Sequence, residues 1–191
     1  SNVARGERDF AGSPALLAVL GRRRKLEAMC DAGEKKAARI AKVYKGANAP
    51  GEEGRKARRE AIRLVLSRLK EAGLGSLPGG GAEVFDDRVH DEAYKGKIRS
   101  DVWLDVHRVA HEVGLNTNAT MLYGHIETAS HRIDHLRRLR ELQDETGGFT
   151  GFIPFAFEPE GARPVLHGIA HATAFEELRN LAISRLFLDN I

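Results

Sequence analysis

The chain has 191 residues, 42% of them hydrophobic, and 30 Lys or Arg stand against 27 Asp or Glu. That length supports one buried core and barely two, so a single globular domain with an appendage is expected. No run approaches the roughly 20 apolar residues of a membrane span and no apolar signal core opens the chain, which points to a soluble cytoplasmic protein, while the lone Cys30 excludes a disulfide or a multi-cysteine metal or cluster site built within one chain.

The net charge of +3 conceals a division: residues 1–70 hold 18 basic and 8 acidic side chains, and the remainder of the chain is net acidic. In the basic part, Ser13-Pro14 supplies an N-cap and a first-turn proline for a helix over residues 13–30, carried by Leu16, Leu17, Val19, Leu20 and Leu26. Residues 33–45 and 54–72 repeat the helical period, with Gly46 to Gly51 as the breaker between them. No strand is expected before residue 75.

From Gly73 onward the pattern alternates. Leu77 leads into Gly79-Gly80-Gly81, a helix runs from Ser100 to Val113 and closes at Gly114, and residues 117–123 read as an apolar, β-branched strand. A helix over 129–145 stops at Gly147-Gly148, and a strand over 149–157 is expected to be interrupted by Pro154. Thr173 and Glu176 form a capping box for a last helix reaching about Leu188. Such alternation predicts parallel β/α units, whose ligand sites lie beyond the C-terminal ends of the strands, here in loops 79–85, 124–128 and 157–172. Three strands are too few for an eight-stranded β/α barrel, so if these α/β units belong to a TIM-type barrel the chain holds only part of it, and its sheet edges stay unpaired unless the N-terminal helices cover them or a second copy pairs with them.

Several residues carry candidate chemistry. Gly79, Gly80 and Gly81 free backbone N–H groups for an anion or carboxylate, and Glu83 can receive hydroxyls or an amine, although a plain strand-to-helix turn has the same composition. Gly124 at a strand end lets a flat ligand lie against the backbone, with Glu127 as an acceptor and His125 as a proton carrier; the alternative is a strand end with a solvated carboxylate. Three histidine pairs stand four residues apart: His107 with His111, His131 with His135, and His167 with His171. The spacing suits zinc, but Arg108 and Arg132 follow the first members where a metalloprotease has glutamate, so surface or capping roles are favoured and no metal site is assigned. Arg22 to Lys25 and Arg55 to Arg59 form basic runs, yet only Phe10 and Tyr44 interleave with the N-terminal charge, which argues against nucleic acid.

Four segments carry a resemblance: Leu69 to Phe85 with its Gly-Gly-Gly-Ala-Glu run, Trp103 to His111, Thr117 to Glu127 with Thr-Met-Leu-Tyr-Gly-His-Ile-Glu, and Leu139 to Phe157. In this order they closely resemble aminofutalosine synthase, a radical S-adenosylmethionine (SAM) barrel of the futalosine route to menaquinone, related to dehypoxanthine futalosine cyclase and the deazaflavin-forming synthase. The resemblance spans residues 64–191, leaving 1–63 as a helical basic segment. It implies that Thr120, Leu122, Gly124 and Glu127 lie along the adenosine of SAM and that Gly79, Gly80, Gly81 and Glu83 form the neighbouring cofactor edge. It also implies a small-molecule substrate and a reduced [4Fe-4S] cluster that cleaves SAM, giving an adenosyl radical that adds to a chorismate-derived enol ether. The departures are as plain. The family's three-cysteine cluster motif is missing, Glu158 stands where histidine is expected, and the first and last barrel strands have no counterpart. The expectation is therefore a truncated or internally deleted relative, inactive in isolation. It would be completed by a complementing chain, or remain a non-catalytic binding module, with a homodimer as one way to cover the sheet.

Overall fold

The computed structural model describes residues 51–160 and 166–191. The expected helices over 13–30 and 33–45 lie outside the described residues. The chain divides into two compact units, residues 1–61 and 62–191, with the boundary inside the first described helix, α1 (Gly51–Glu71). Acidic Glu52 and Glu53 open α1 and basic Arg68 and Lys70 close it, the arrangement that a helix macrodipole favours.

In the second unit the order is β1 (Ser76–Leu77), α2 (Asp87–Ala93), α3 (Ser100–Glu112), β2 (Asn116–Tyr123), α4 (Ala129–Thr146), β3 (Phe149–Ala156) and α5 (Ala174–Phe187). The three strands form one parallel sheet in the order β1-β2-β3. Strand–helix alternation thus yields parallel β/α units, as the shift of hydrophobic period predicts. Two expectations are corrected. Pro154 does not interrupt β3; it pairs with Met121 inside a continuous strand, and among the described residues β3 is an edge of the sheet, where proline is tolerated. The short helix α2 was not expected; Asp86 caps it by accepting from Val89 N at 2.8 Å.

Side-chain alternation along β2 divides the sheet into two faces. Ala119, Met121 and Tyr123 are buried, and they point toward Val89 and Ala93 of α2, Trp103 of α3 and Leu136 and Leu139 of α4. Burying these apolar side chains is the main driving force for the unit, at about 25 cal/mol per Å² removed from water. On the opposite face Thr120 pairs with Ile153 and Leu122 with Phe155. Here Ile153 is 43% and Phe155 51% exposed. Among the described residues the helices therefore cover one side of the sheet, whereas parallel sheets are ordinarily covered on both. A third cluster, in which Ile62 and Leu66 of α1 meet Val109, Ala110 and Leu115, anchors the C-terminal half of α1.

The helix ends follow local chemistry. Thr173 accepts from Glu176 N while Glu176 accepts from Thr173 N, the capping box expected for α5. A second box at α4 joins Thr128 and His131, with the imidazole in the role usually taken by a carboxylate. Among the described residues no helix is long and apolar enough to cross a membrane.

Candidate functional site

The segment beyond β1, Gly79 to Glu83, lies against β2. Beyond β1 the chain runs beside β2 and is tied to it along its length. Gly79 N donates to Asn118 Oδ1 at 2.7 Å, and Gly79 O accepts from Trp103 Nε1 at 3.0 Å and from Thr120 Oγ1 at 2.9 Å. A Cβ at residue 79 would lie 2.1 Å from the Asn118 carbonyl oxygen, so only glycine allows this approach. Four residues on, Leu122 N donates to Glu83 O at 3.1 Å. Gly79 to Glu83 and Thr120 to Leu122 thus form one edge, with Gly80 exposed and free of neighbouring atoms on its Cβ side.

Glu83 sits at φ 60°, in the left-handed region that non-glycine residues seldom enter. Its carboxylate, 14% exposed, forms an ion pair with Lys97. The amine expected to approach Glu83 is thus supplied by the chain itself. Lys97 Nζ also lies 5.6 Å above the Tyr94 ring. Burial raises the Tyr94 phenol well above its ordinary pKa, and the charges of Glu83 and Glu127 push in the same direction.

Glu127 is neither solvated nor free. Its side chain is fully buried, accepts from Gly124 N at 2.7 Å and His125 N at 2.8 Å, and lies 2.9 Å from Arg132 Nε. The carboxylate folds the loop after β2 around itself, with Gly124 at φ 89°. His125 Nε2 donates to Leu122 O at 2.9 Å, and its Nδ1 lies 3.2 Å from Glu127 Oε2. Burial lowers the His125 pKa and the Glu127 carboxylate opposes that shift. The Cβ direction of Gly124 points at Ala172 Cβ, 3.5 Å away, so loop residues close over it.

The histidine pairs follow the expected surface or capping roles only in part. His107 and His135 are buried in the core rather than on the surface: His107 stacks on Trp103 at 3.7 Å and His135 on Phe85 at 3.9 Å. Burial drives both pKa values down to about 3. His107 Nδ1 and His111 Nε2 both meet Thr117 Oγ1, at 2.9 and 2.8 Å, and His135 Nδ1 accepts from Phe85 N at 3.2 Å. His131 caps α4, as noted. His171 meets Glu158 at 3.2 Å and Glu160 at 3.0 Å on opposite ring nitrogens; all three are exposed. Of these residues, the sequence reading missed Asn118, Trp103, Tyr94 and Lys97. Their signal was faint, since each acts through a partner 14 to 39 residues distant or through a ring face.

No protein-family model matches the chain. Among curated proteins it is 55% identical over 130 residues to aminodeoxyfutalosine synthase of Thermus thermophilus, covering 67% of this chain and 35% of that protein. It is 43% identical over 132 residues to a 5-amino-6-(D-ribitylamino)uracil–L-tyrosine 4-hydroxyphenyl transferase of Methanosarcina barkeri, covering 67% and 34%. It is 44% identical over 131 residues to cyclic dehypoxanthine futalosine synthase of Streptomyces coelicolor, covering 69% and 32%. The chain spans about a third of the length of these relatives. Over the matched two thirds of its own length, the chain belongs to the aminodeoxyfutalosine synthase family.

Proposed function

We propose that this chain is the adenosyl-binding part of an aminodeoxyfutalosine-synthase-type radical SAM protein, with residues 64–191 forming a portion of a β/α barrel and residues 1–63 a basic extension. The observation that carries this reading is the single edge made by Gly79 to Glu83 and Thr120 to Leu122, joined through Thr120 Oγ1 to Gly79 O and Leu122 N to Glu83 O. A flat nucleoside fits such an edge: Gly80 leaves space beside the backbone, Leu122 offers an apolar surface, and the bare sheet face continues toward Ile153 and Phe155. In this reading Glu83 is held by Lys97 for a ribose hydroxyl, and Glu127 keeps the Gly124 loop in shape rather than touching ligand. The one-sided covering of the sheet supports a barrel portion, because the uncovered face is where a closed barrel packs its interior.

A [4Fe-4S] cluster needs thiolate ligands. The sequence has one cysteine, Cys30, and the described residues contain none, so this donor set does not fit the cluster and no reaction step is assigned to this chain. By itself it acts as a binding module for a small adenosyl ligand; transfer of the adenosyl group to a chorismate-derived enol ether would require thiolates from another polypeptide. The higher identity to the Thermus synthase than to the cyclic synthase, 55% against 44%, supports synthase-type ancestry. Calorimetric titration with SAM and S-adenosylhomocysteine tests the reading. Saturable binding that adenosine competes and guanosine does not, and that Leu122→Asp abolishes in a folded protein, is expected; heat-silent titrations with both ligands refute it.

A further inference from the structure

Between α4 and α5 lies a cavity of about 320 Å³, at the small end of the range for small-molecule sites. Ala129, Ile133 and Leu136 line it from one stripe of α4, and Ile183 of α5 completes its apolar wall. Leu136 is buried in the core while Ile133 and Ile183 are 40% and 39% exposed, so the cavity reaches from the core to solvent. Its polar lining is Arg132, Arg179 and Asn180, and no carboxylate belongs to it. Asn180 is only 5% exposed, and its Nδ2 has no hydrogen-bond partner among the described residues. A buried amide donor without a partner is uncommon, because its desolvation goes uncompensated. The two arginines differ. Arg132 Nε lies 2.9 Å from the buried Glu127 carboxylate, and its guanidinium stands 5.6 Å over the Tyr123 ring. Arg179 stands 5.8 Å over the Phe175 ring and forms no ion pair among the described residues. Glu176 is the acid that feels both arginines, and its carboxylate is engaged by Thr173 N at 2.9 Å and Thr173 Oγ1 at 2.8 Å.

An apolar wall, an unmet buried amide donor and a guanidinium without an ion pair fit an acceptor group with one negative charge on an apolar body. We propose that the cavity between α4 and α5 is a binding site for a small monoanionic carboxylate, its oxygens received by Asn180 Nδ2 and the Arg179 guanidinium and its ring or branched alkyl body seated on Ile133, Leu136 and Ile183. The two oxygens of a carboxylate can meet the amide and the guanidinium together, and the charge-assisted bond to arginine is the stronger of the two. A phosphate dianion fits less well: Glu127 already balances Arg132, Glu176 stands near both arginines, and the apolar wall gives such an ion no contact. An uncharged amide would satisfy Asn180 and leave Arg179 unanswered. The cavity shares no residue with the edge formed by Gly79 to Glu83 and Thr120 to Leu122, nor with Ile153 and Phe155. Both helices that form it belong to this chain, so its chemistry depends neither on the adenosyl reading nor on strands that the relatives hold beyond the matched stretch.

The test is a heteronuclear NMR titration of the nitrogen-labelled chain with para-toluate as the probe, para-toluamide as its uncharged counterpart and inorganic phosphate as an anion without an apolar body. Para-toluate is expected to shift the Asn180 side-chain amide and backbone amides of α4 and α5 saturably, with a dissociation constant in the millimolar range that suits so small a ligand. Para-toluamide should bind at least fivefold more weakly, and phosphate should give no saturable shift. Arg179→Gln, at an exposed position, should weaken para-toluate at least fivefold and leave para-toluamide unchanged. Arg137→Gln removes an equal charge from an exposed site of α4 outside the cavity and should change neither. Asn180→Leu keeps the side-chain volume but removes the amide, and should also cost para-toluate at least fivefold, with the dispersion of its spectrum reporting that it is folded. Equal binding of para-toluate and para-toluamide, indifference to Arg179→Gln, saturable phosphate binding at the same amides, or no saturable shift with para-toluate at tens of millimolar would overturn the proposal.

Discussion

Replacing Gly79 with alanine probes the contact on which the proposed site depends. The added Cβ would fall 2.1 Å from the Asn118 carbonyl oxygen and 2.8 Å from Ala119 Cα, both backbone atoms that cannot rotate away. The loop must therefore retreat by about 1 Å, which stretches or breaks three hydrogen bonds: Gly79 N to Asn118 Oδ1, Trp103 Nε1 to Gly79 O and Thr120 Oγ1 to Gly79 O. At about 1 kcal/mol each the loss is about 3 kcal/mol. The smaller chain entropy of unfolded alanine returns about 0.5 kcal/mol. For a unit of this size a net loss near 2.5 kcal/mol lowers Tm by about 10 °C. Thermal melts followed by circular dichroism measure it, with Gly80→Ala as the control, since no atom lies within 4 Å of a Cβ there. A Gly79→Ala protein that melts within about 2 °C of the parent, as Gly80→Ala should, would refute the reasoning on contact energies that underlies this estimate.

Glu127→Ala leaves two backbone N–H groups and Arg132 without their buried carboxylate and should lower unfolding free energy by about 3 kcal/mol in urea titrations. A loss below about 1 kcal/mol would mean that the loop holds its shape without it. Stability should also fall in acid. His107 and His135 remain neutral in the fold down to about pH 3 but take protons near 6.5 when unfolded, so their contribution is complete above about 6.5 and declines as pH drops toward 3. Each adds a slope of up to about 1.4 kcal/mol per pH unit in that window, and denaturation midpoints that do not change between pH 7 and 4.5 would contradict this. Glu83→Gly removes the left-handed strain and the Lys97 pair together, so Tm should move by no more than about 3 °C while adenosyl affinity drops at least tenfold; unchanged affinity would remove Glu83 from the site.

Much of the scaffold was legible because its signals are local. The change from helical to alternating period marked the parallel β/α units, and Thr173 with Glu176 marked the start of α5 three residues apart. α2 was missed because seven residues give too short a period to detect, although Asp86 followed by acidic Asp87 was a usable capping signal. Pro154 read as a breaker because nothing local says that β3 is an edge strand among the described residues. The histidines were a different kind of miss. His107 lies four residues after Trp103, and His135 four before Leu139, so both continue the apolar stripes of α3 and α4 and their burial was readable from spacing. Within the site, the glycines and Glu83 were visible as residue types, but their pairing across β2 depends on contacts about 40 residues apart, such as Thr120 with Gly79. For Glu127 the sequence offered a solvated or a ligand-binding carboxylate; its three partners are two backbone amides and Arg132, which only the folded loop brings together.

The most direct test of the account takes one sample through both halves of the claim. The purified chain is reconstituted anaerobically with iron and sulfide, then given SAM and dithionite, and bound SAM and free 5′-deoxyadenosine are quantified against a no-protein control. The account predicts SAM retained by the folded protein with 5′-deoxyadenosine no higher than the control, because the described residues offer no cysteine to a cluster. Protein-dependent 5′-deoxyadenosine, or a folded protein that retains no SAM, would contradict it.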